Sequence, residues 1–360
     1  KKAIDILDEA VVYFKSQKET VVLPDHIAKI ISDKTQIPMG KMEFKEKSVL
    51  INLENLIHQR IVNQQEAVQE ISIAMRRARA GISSKKRPMG VFLFLGPTGV
   101  GKTETAKALA EIYFGRVARD FSEAKSPDLG ENKMIRLDMS EFQSISDIPR
   151  LIGAISPVEQ QGLLTTPVRE NPFSLVLLDE VEKSHPNILN LFLQVFDEGH
   201  VTDGQGRKIM FTNTIIICTS NAGAPMIFKT VESGKEIDKR KLLNSLFENG
   251  IFKPEFVNRF DAAVIFNPLT KENLMQIAQL MLSNLAKSLK EKEIEFVITE
   301  ELKAKIVEIS YKPEFGAREM RRMVQDKVEN EIAKAIISDT IVKGDKIEIN
   351  PDEFKIIKVS

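Results

Sequence analysis

The residues best equipped for chemistry lie in one short loop, Gly96-Pro97-Thr98-Gly99-Val100-Gly101-Lys102-Thr103, directly after the apolar run at 91–95. Its glycines allow a turn tight enough for successive backbone N–H groups to converge on phosphate oxygens. Lys102 can then reach the β- and γ-phosphates, and the Thr103 hydroxyl can ligate Mg2+. A helix over about 103–113 would turn its positive end towards the same anion. The spacing implies a bound nucleoside triphosphate, with Pro97, Thr98, Gly99, Val100, Gly101, Lys102 and Thr103 as its cradle.

A second cluster ends the apolar run Leu175-Val176-Leu177-Leu178 with Asp179-Glu180. Two acids at the carboxyl end of a buried strand stand where open α/β sheets bind ligands. Asp179 would hold Mg2+ through water, and Glu180 would orient and polarise the attacking water. Thr219-Ser220-Asn221 follows another apolar strand, and its amide could bond both the γ-phosphate and that water. Two arginines complete the set: Arg259 at the end of a short helical segment, and Arg318 after Gly316-Ala317. An added cation speeds phosphoryl transfer greatly, although by spacing alone either arginine also suits a surface ion pair.

These side chains need a scaffold. Apolar strand signals recur at 91–95, 134–137, 175–178, 214–218 and 262–266, with helical stretches at 102–113, 162–170, 186–198 and 239–247. Ser184 before His185-Pro186 marks a helix start. Upstream, helical patterns cover 3–14, 52–60 and 66–80, with Gly81 as C-cap. Continuous apolar strands alternating with helices predict an α/β fold whose parallel sheet is covered by helices on both faces. Beyond Pro268 the pattern turns to long helices at 271–290, 300–309 and 318–337, then two short strands at 346–349 and 354–359. The predicted division is therefore 1–45, a preceding tail and linker; 46–268, the nucleotide-binding domain; and 269–360, a smaller, mainly helical domain. The polar, aperiodic stretch 115–133 reads as a surface insertion.

Composition narrows the function. The 51 basic and 51 acidic residues cancel, so no global field favours nucleic acid or an anionic membrane. Six basic residues fall within 76–87, a run that reads as a solvated face or an inter-subunit contact. No apolar stretch approaches the roughly 20 residues that span a bilayer. Cys218, the single cysteine, sits in an apolar strand and reads as a core thiol, while the four histidines show no ligand spacing. A cytoplasmic, reducing compartment is expected. The Lys1-Lys2 start without Met suggests a fragment.

Taken together, these motifs resemble the AAA+ superfamily, in particular the second ATPase module of the Hsp100/Clp chaperones. The likeness extends over about 50–349, through Asp179-Glu180 to His185, the segment 199–206, Thr219-Ser220-Asn221, 252–259, Tyr311-Lys312-Pro313 and Gly316-Ala317-Arg318. The start resembles the end of a preceding first ATPase module. The resemblance implies ATP with Mg2+, hydrolysis at the boundaries of a homo-oligomeric, hexameric ring, and protein clients. It implies that Asn221 is the sensor-1 residue, that Arg318 contacts nucleotide in cis as sensor 2, and that Arg259 is an arginine finger acting in trans. Ile61 and Val62 would line the adenine pocket, and Asn63, where the family has Gly, would adopt left-handed backbone.

Two departures stand out. The family's aromatic pore loop is replaced by Ile155-Ser156-Pro157-Val158-Glu159-Gln160-Gln161, and Val158 offers far less apolar grip than a tyrosine. Between Asn221 and Asn249 no Leu/Ile-Gly-Phe/Leu tripeptide occurs, which argues against docking of a ClpP-type peptidase. A nucleotide-gated scaffold that does not thread its client is the alternative reading.

Overall fold

The computed structural model describes residues 2–16, 21–35, 44–80, 86–115, 133–155 and 160–359. Gly81, residues 116–132 of the expected insertion and residues 156–159 of the divergent loop lie outside them.

Five strands form the central sheet: β1 (Gly90–Leu95), β2 (Met134–Asp138), β3 (Leu175–Asp179), β6 (Ile215–Ser220) and β7 (Ala262–Ile265), with the separate antiparallel pair β4 (His200–Thr202) and β5 (Lys208–Met210) between β3 and β6 in the chain. All pair in parallel, in the order β2-β3-β6-β1-β7. Side chains alternate between faces along a strand, so each apolar run feeds two cores. Phe92, Phe94, Leu175, Leu177, Ile215 and Ile217 join one cluster, while Val91, Leu93, Leu95, Val176, Leu178, Ile216 and Cys218 join the other. Burial on both faces explains why β1, β3 and β6 contain almost no polar residue before their carboxyl ends. The chain leaves β1 for the far edge at β2 and returns through β3 to β6. That reversal opens a crevice at the carboxyl end of β1, where α/β sheets bind ligands.

The register aligns the chemistry. Leu95 pairs with Ser220, Leu178 with Cys218, and Asp138 with Asp179, so the loop after β1, the acids ending β3 and Asn221 emerge at one edge. β6 runs to Ser220, two residues past the expected strand, because Thr219 and Ser220 pair with Phe94 and Leu95.

The helices differ from expectation in detail. After Lys102–Leu109 the chain widens into a π-turn, Ala110–Gly115, which seats Tyr113 and Phe114 against Phe173. The helix Pro186–Glu198 is capped by His185, whose ring accepts the Asn187 amide at 3.2 Å. The expected cap, Ser184, instead turns its hydroxyl back to the Val181 carbonyl. The 66–80 pattern is the helix Gln65–Arg79, 52–60 is the shorter helix Leu53–His58, and Phe44–Ile51 is a further helix ahead of it. The helices Lys2–Ser16 and Pro24–Thr35 share a small apolar contact at Ala10 and Ile30.

Beyond residue 268 come the helices Lys271–Lys290 and Glu300–Ser310. The stripe read as one helix over 318–337 is Ala317–Met323, a π-turn at Val324–Glu329, and Asn330–Ile337. β8 (Glu295–Phe296) pairs in parallel with β9 (Lys346–Ile349), which pairs antiparallel with β10 (Ile356–Lys358). β8 is too short for an alternation signal and was not anticipated. Among the described residues, no helix is long and apolar enough to cross a membrane.

Candidate nucleotide site

At the carboxyl edge of β1 a cavity of about 510 Å3 opens between the sheet and the residues after 268. Gly99, at φ +76°, and Gly101, at φ +107°, are left-handed, a conformation costly for any side chain with a Cβ. Gly99 also has no room: a Cβ there would stand 2.1 Å from the Phe315 carbonyl oxygen. The Ala317 amide donates to the Gly99 carbonyl at 3.0 Å. The start of the Arg318 helix is thus tied to the loop itself.

Lys102 is buried, and its Nζ donates to the carbonyls of Gly96 (2.6 Å) and Pro97 (2.7 Å) and to Asn221 Oδ1 (2.9 Å). Burial pushes its pKa down to about 8, against the pull of Glu182, Asp179 and Glu180; Arg318 pushes it further down. A cation held this way is under-compensated, and an incoming polyphosphate would supply the missing charge.

The acids are joined through a side chain to which the sequence assigned no role. Thr219 donates its hydroxyl to Asp179 and accepts the Glu180 amide at 3.1 Å. Asp179 also pairs with Arg136 Nη2 at 2.6 Å. Glu180 is left-handed at φ +57°, strain that clusters at functional sites. Its Oε1 accepts from Asn221 Nδ2 at 3.2 Å, and Oε2 pairs with Lys183. The Asn221 amide donates to Glu182 Oε1 at 3.0 Å.

Ile61, Val62, Thr98, Gly99, Val100, Gly101, Lys102, Thr103, Asp179, Glu180, Asn221 and Arg318 all line the cavity. Two expected residues do not. Pro97 contributes only the carbonyl that Lys102 holds. Arg259 stands apart, with its guanidinium on Asp197 and, at 3.1 Å, on the Glu255 carbonyl. Arg60, Lys107, Arg136, Arg321 and Arg322 add basic groups to the rim that the motifs did not single out. Arg136 had a signal, since it interrupts the apolar alternation of Ile135 and Leu137.

Gln64 was also missed. It is buried and left-handed; its amide donates to the carbonyls of Val100 (3.3 Å) and Asn267 (2.9 Å) and accepts the Asn267 amide. One side chain therefore joins the segment below Val62, the phosphate loop and the strand exit at 267. Its neighbour Asn63 is left-handed as well.

The donor set suits a hard divalent cation: a hydroxyl at Thr103 and a carboxylate at Asp179 face one cavity. Mg2+ favours this situation, taking few protein oxygens and completing its octahedron from phosphates and water.

The fold and this edge define a phosphate-loop ATPase with an appended helical unit, and the comparisons agree. Residues 87–263 match the model described as AAA domain (Cdc48 subfamily), and 269–349 match the C-terminal, D2-small domain, of ClpB protein. The ATP-binding subunit ClpE of the Clp protease from Bacillus subtilis is 41% identical over 340 residues, which cover 92% of this chain and 46% of that protein. The chaperone protein ClpB of Rhodopirellula baltica is 42% identical over 335 residues, covering 92% and 36%. A cryo-EM reconstruction of Hsp104 in a closed state, with ATPγS and FITC-casein, superposes with a TM-score of 0.83 at 30% identity, covering 99% of this chain and 60% of that one. The chain belongs to the AAA+ superfamily of ATPases, as a second ATPase module of the Hsp100/Clp chaperones. It spans less than half the length of these curated relatives.

Proposed function

We propose that this chain binds and hydrolyses ATP as one module of a Clp/Hsp100-type ring that remodels protein clients. The observation that carries the reading is the junction at Thr219, which ties Asp179 to Glu180 beside Asn221 and Lys102. In the proposed reaction the triphosphate draws Lys102 from the Gly96 and Pro97 carbonyls, and Ile61 and Val62 cover the adenine. Glu180, steered by Asn221, accepts a proton from the water that attacks the γ-phosphorus; ADP leaves as phosphate is released. Thr103 and Asp179 would hold Mg2+, which neutralises phosphate charge. Arg318 stabilises the γ-phosphate from the same chain. Arg259, which lies outside its own chain's cavity, does so for the next chain of a hexamer.

We divide the chain into a tail and linker (1–45), a large nucleotide-binding domain (46–268) and a small helical domain (269–360), and place it in the cytoplasm without a peptidase partner or nucleic acid. The test is Glu180→Gln. ATP binding should persist while turnover falls by 10²–10⁴, the range typical of a lost general base. Undiminished turnover contradicts the reading. Light scattering with and without ATPγS, on the same sample, tests the ring.

A second reading keeps the ATPase but removes threading. It rests on the segment 155–161, which has no aromatic residue, with Ile155 exposed. In that case nucleotide gates a scaffold. A tagged, folded substrate unfolded at a rate that follows ATP use eliminates it.

A further inference from the structure

Arg259 is held by more than a surface arginine needs. Its carbonyl accepts Arg87 Nη2 at 2.6 Å, and Arg87 also donates from Nε to the Phe196 carbonyl at 2.8 Å and pairs with Asp261 at 3.5 Å. Asp261 in turn accepts the Val91 amide, at the start of β1. Below the backbone, Phe260 packs on Phe196 and edge-on to Phe256, with centroids at 5.3 and 5.1 Å. The guanidinium remains partly exposed, with Nε on Asp197 and Nη1 on the Glu255 carbonyl. Two of its five N–H donors are used in this way, and Nη2 has no hydrogen-bond partner among the described residues.

An exposed ion pair contributes little stability, so the pair Arg259–Asp197 is better explained by orientation. Asp197 is the penultimate residue of the helix Pro186–Glu198, which starts just after Glu180 and spans roughly 20 Å. That helix and β1 both run between the phosphate-binding edge and the Arg259 platform. We propose that Asp197 and Arg87 are positioning residues for Arg259: Arg87 fixes its backbone, and Asp197 aims its free amino groups out of this chain towards the triphosphate of a neighbouring copy. The inference rests on the trans-acting role of Arg259 given above.

The test is steady-state ATP hydrolysis by the assembled protein carrying Asp197→Ala, Asp197→Glu or Arg259→Ala, each checked for assembly by light scattering. Misaimed catalytic groups lose large factors in rate. Asp197→Ala should therefore lower kcat about tenfold with KM for ATP within about twofold, and Asp197→Glu should recover part of the loss. If Asp197→Ala fails to assemble, Asp197→Asn is measured instead; it keeps an acceptor but loses the charge, and its kcat should fall severalfold. Normal kcat in the assembled Asp197 variant, beside an inactive Arg259→Ala, overturns the positioning role and leaves the trans reading intact. Full activity in Arg259→Ala overturns the trans reading itself.

Discussion

Lys102 should take up a proton when ATP binds. Its ammonium is buried among carbonyls, which lowers its pKa from 10.5 to about 8. That difference corresponds to roughly 3 kcal/mol of disfavoured charge. Before binding, about half of the molecules are neutral at Lys102 at pH 8, about one tenth at pH 7 and about nine tenths at pH 9. The triphosphate supplies the counter-charge, so the bound state is fully protonated across that range. Lys102 should therefore take up about 0.1, 0.5 and 0.9 proton per site at pH 7, 8 and 9; phosphate's own titration, near pH 6, releases about 0.1 proton at pH 7, cancelling the uptake there, and contributes little at pH 8 and 9. Isothermal titration calorimetry of Glu180→Gln with ATP, in buffers of differing ionisation enthalpy, reads the number directly. The same linkage has a sign for the free protein. A lysine lowered on folding destabilises fully below pH 8 and progressively less as pH rises from 8 towards 10.5, so this group's contribution to stability rises with pH. Binding enthalpies at pH 8 and 9 that do not depend on the buffer, or uptake that grows as pH falls, would refute the argument.

Three further outcomes follow from the same geometry. Gly99→Ala forces a Cβ to within 2.1 Å of the Phe315 carbonyl at φ +76°, so it should cost about 1–3 kcal/mol in thermal or urea unfolding and raise KM for ATP; an unchanged melting curve speaks against the contact. Thr219→Val leaves the Glu180 amide unpaired and should lower stability by about 1–3 kcal/mol, with kcat reduced more than KM changes; wild-type kinetics would show that the junction is idle. Burial pushes the Cys218 thiol far above its usual range, so a thiol reagent should label it only after denaturation, and rapid labelling of the native protein counts against a buried β6.

The sheet was legible because its strands are buried on both faces and therefore written in unbroken apolar runs; 91–95 and 175–178 allow no other economical reading. The phosphate loop was legible because glycine spacing and an adjacent lysine are a local signal. What escaped was long-range. Thr219 looks like any strand-end threonine until β3 and β6 pair and bring its hydroxyl to Asp179. Gln64 carries no motif, and its value comes from Val100 and Asn267, 36 and 203 residues away. The π-turns at 110–115 and 324–329 leave the apolar stripe almost unchanged and so gave no warning. His185 replaced Ser184 as a cap because Ser184 had a closer partner behind it, at Val181.

If Arg259 completes the ATPase site of a neighbouring chain, mixing two inactive variants should restore turnover. Arg259→Ala and Glu180→Gln should each be nearly inactive alone. Combined one to one and reassembled at random, about a quarter of the interfaces would join an intact Glu180 to an intact Arg259, so turnover should recover to as much as about a quarter of wild type. A mixture no faster than its two components would contradict the claim.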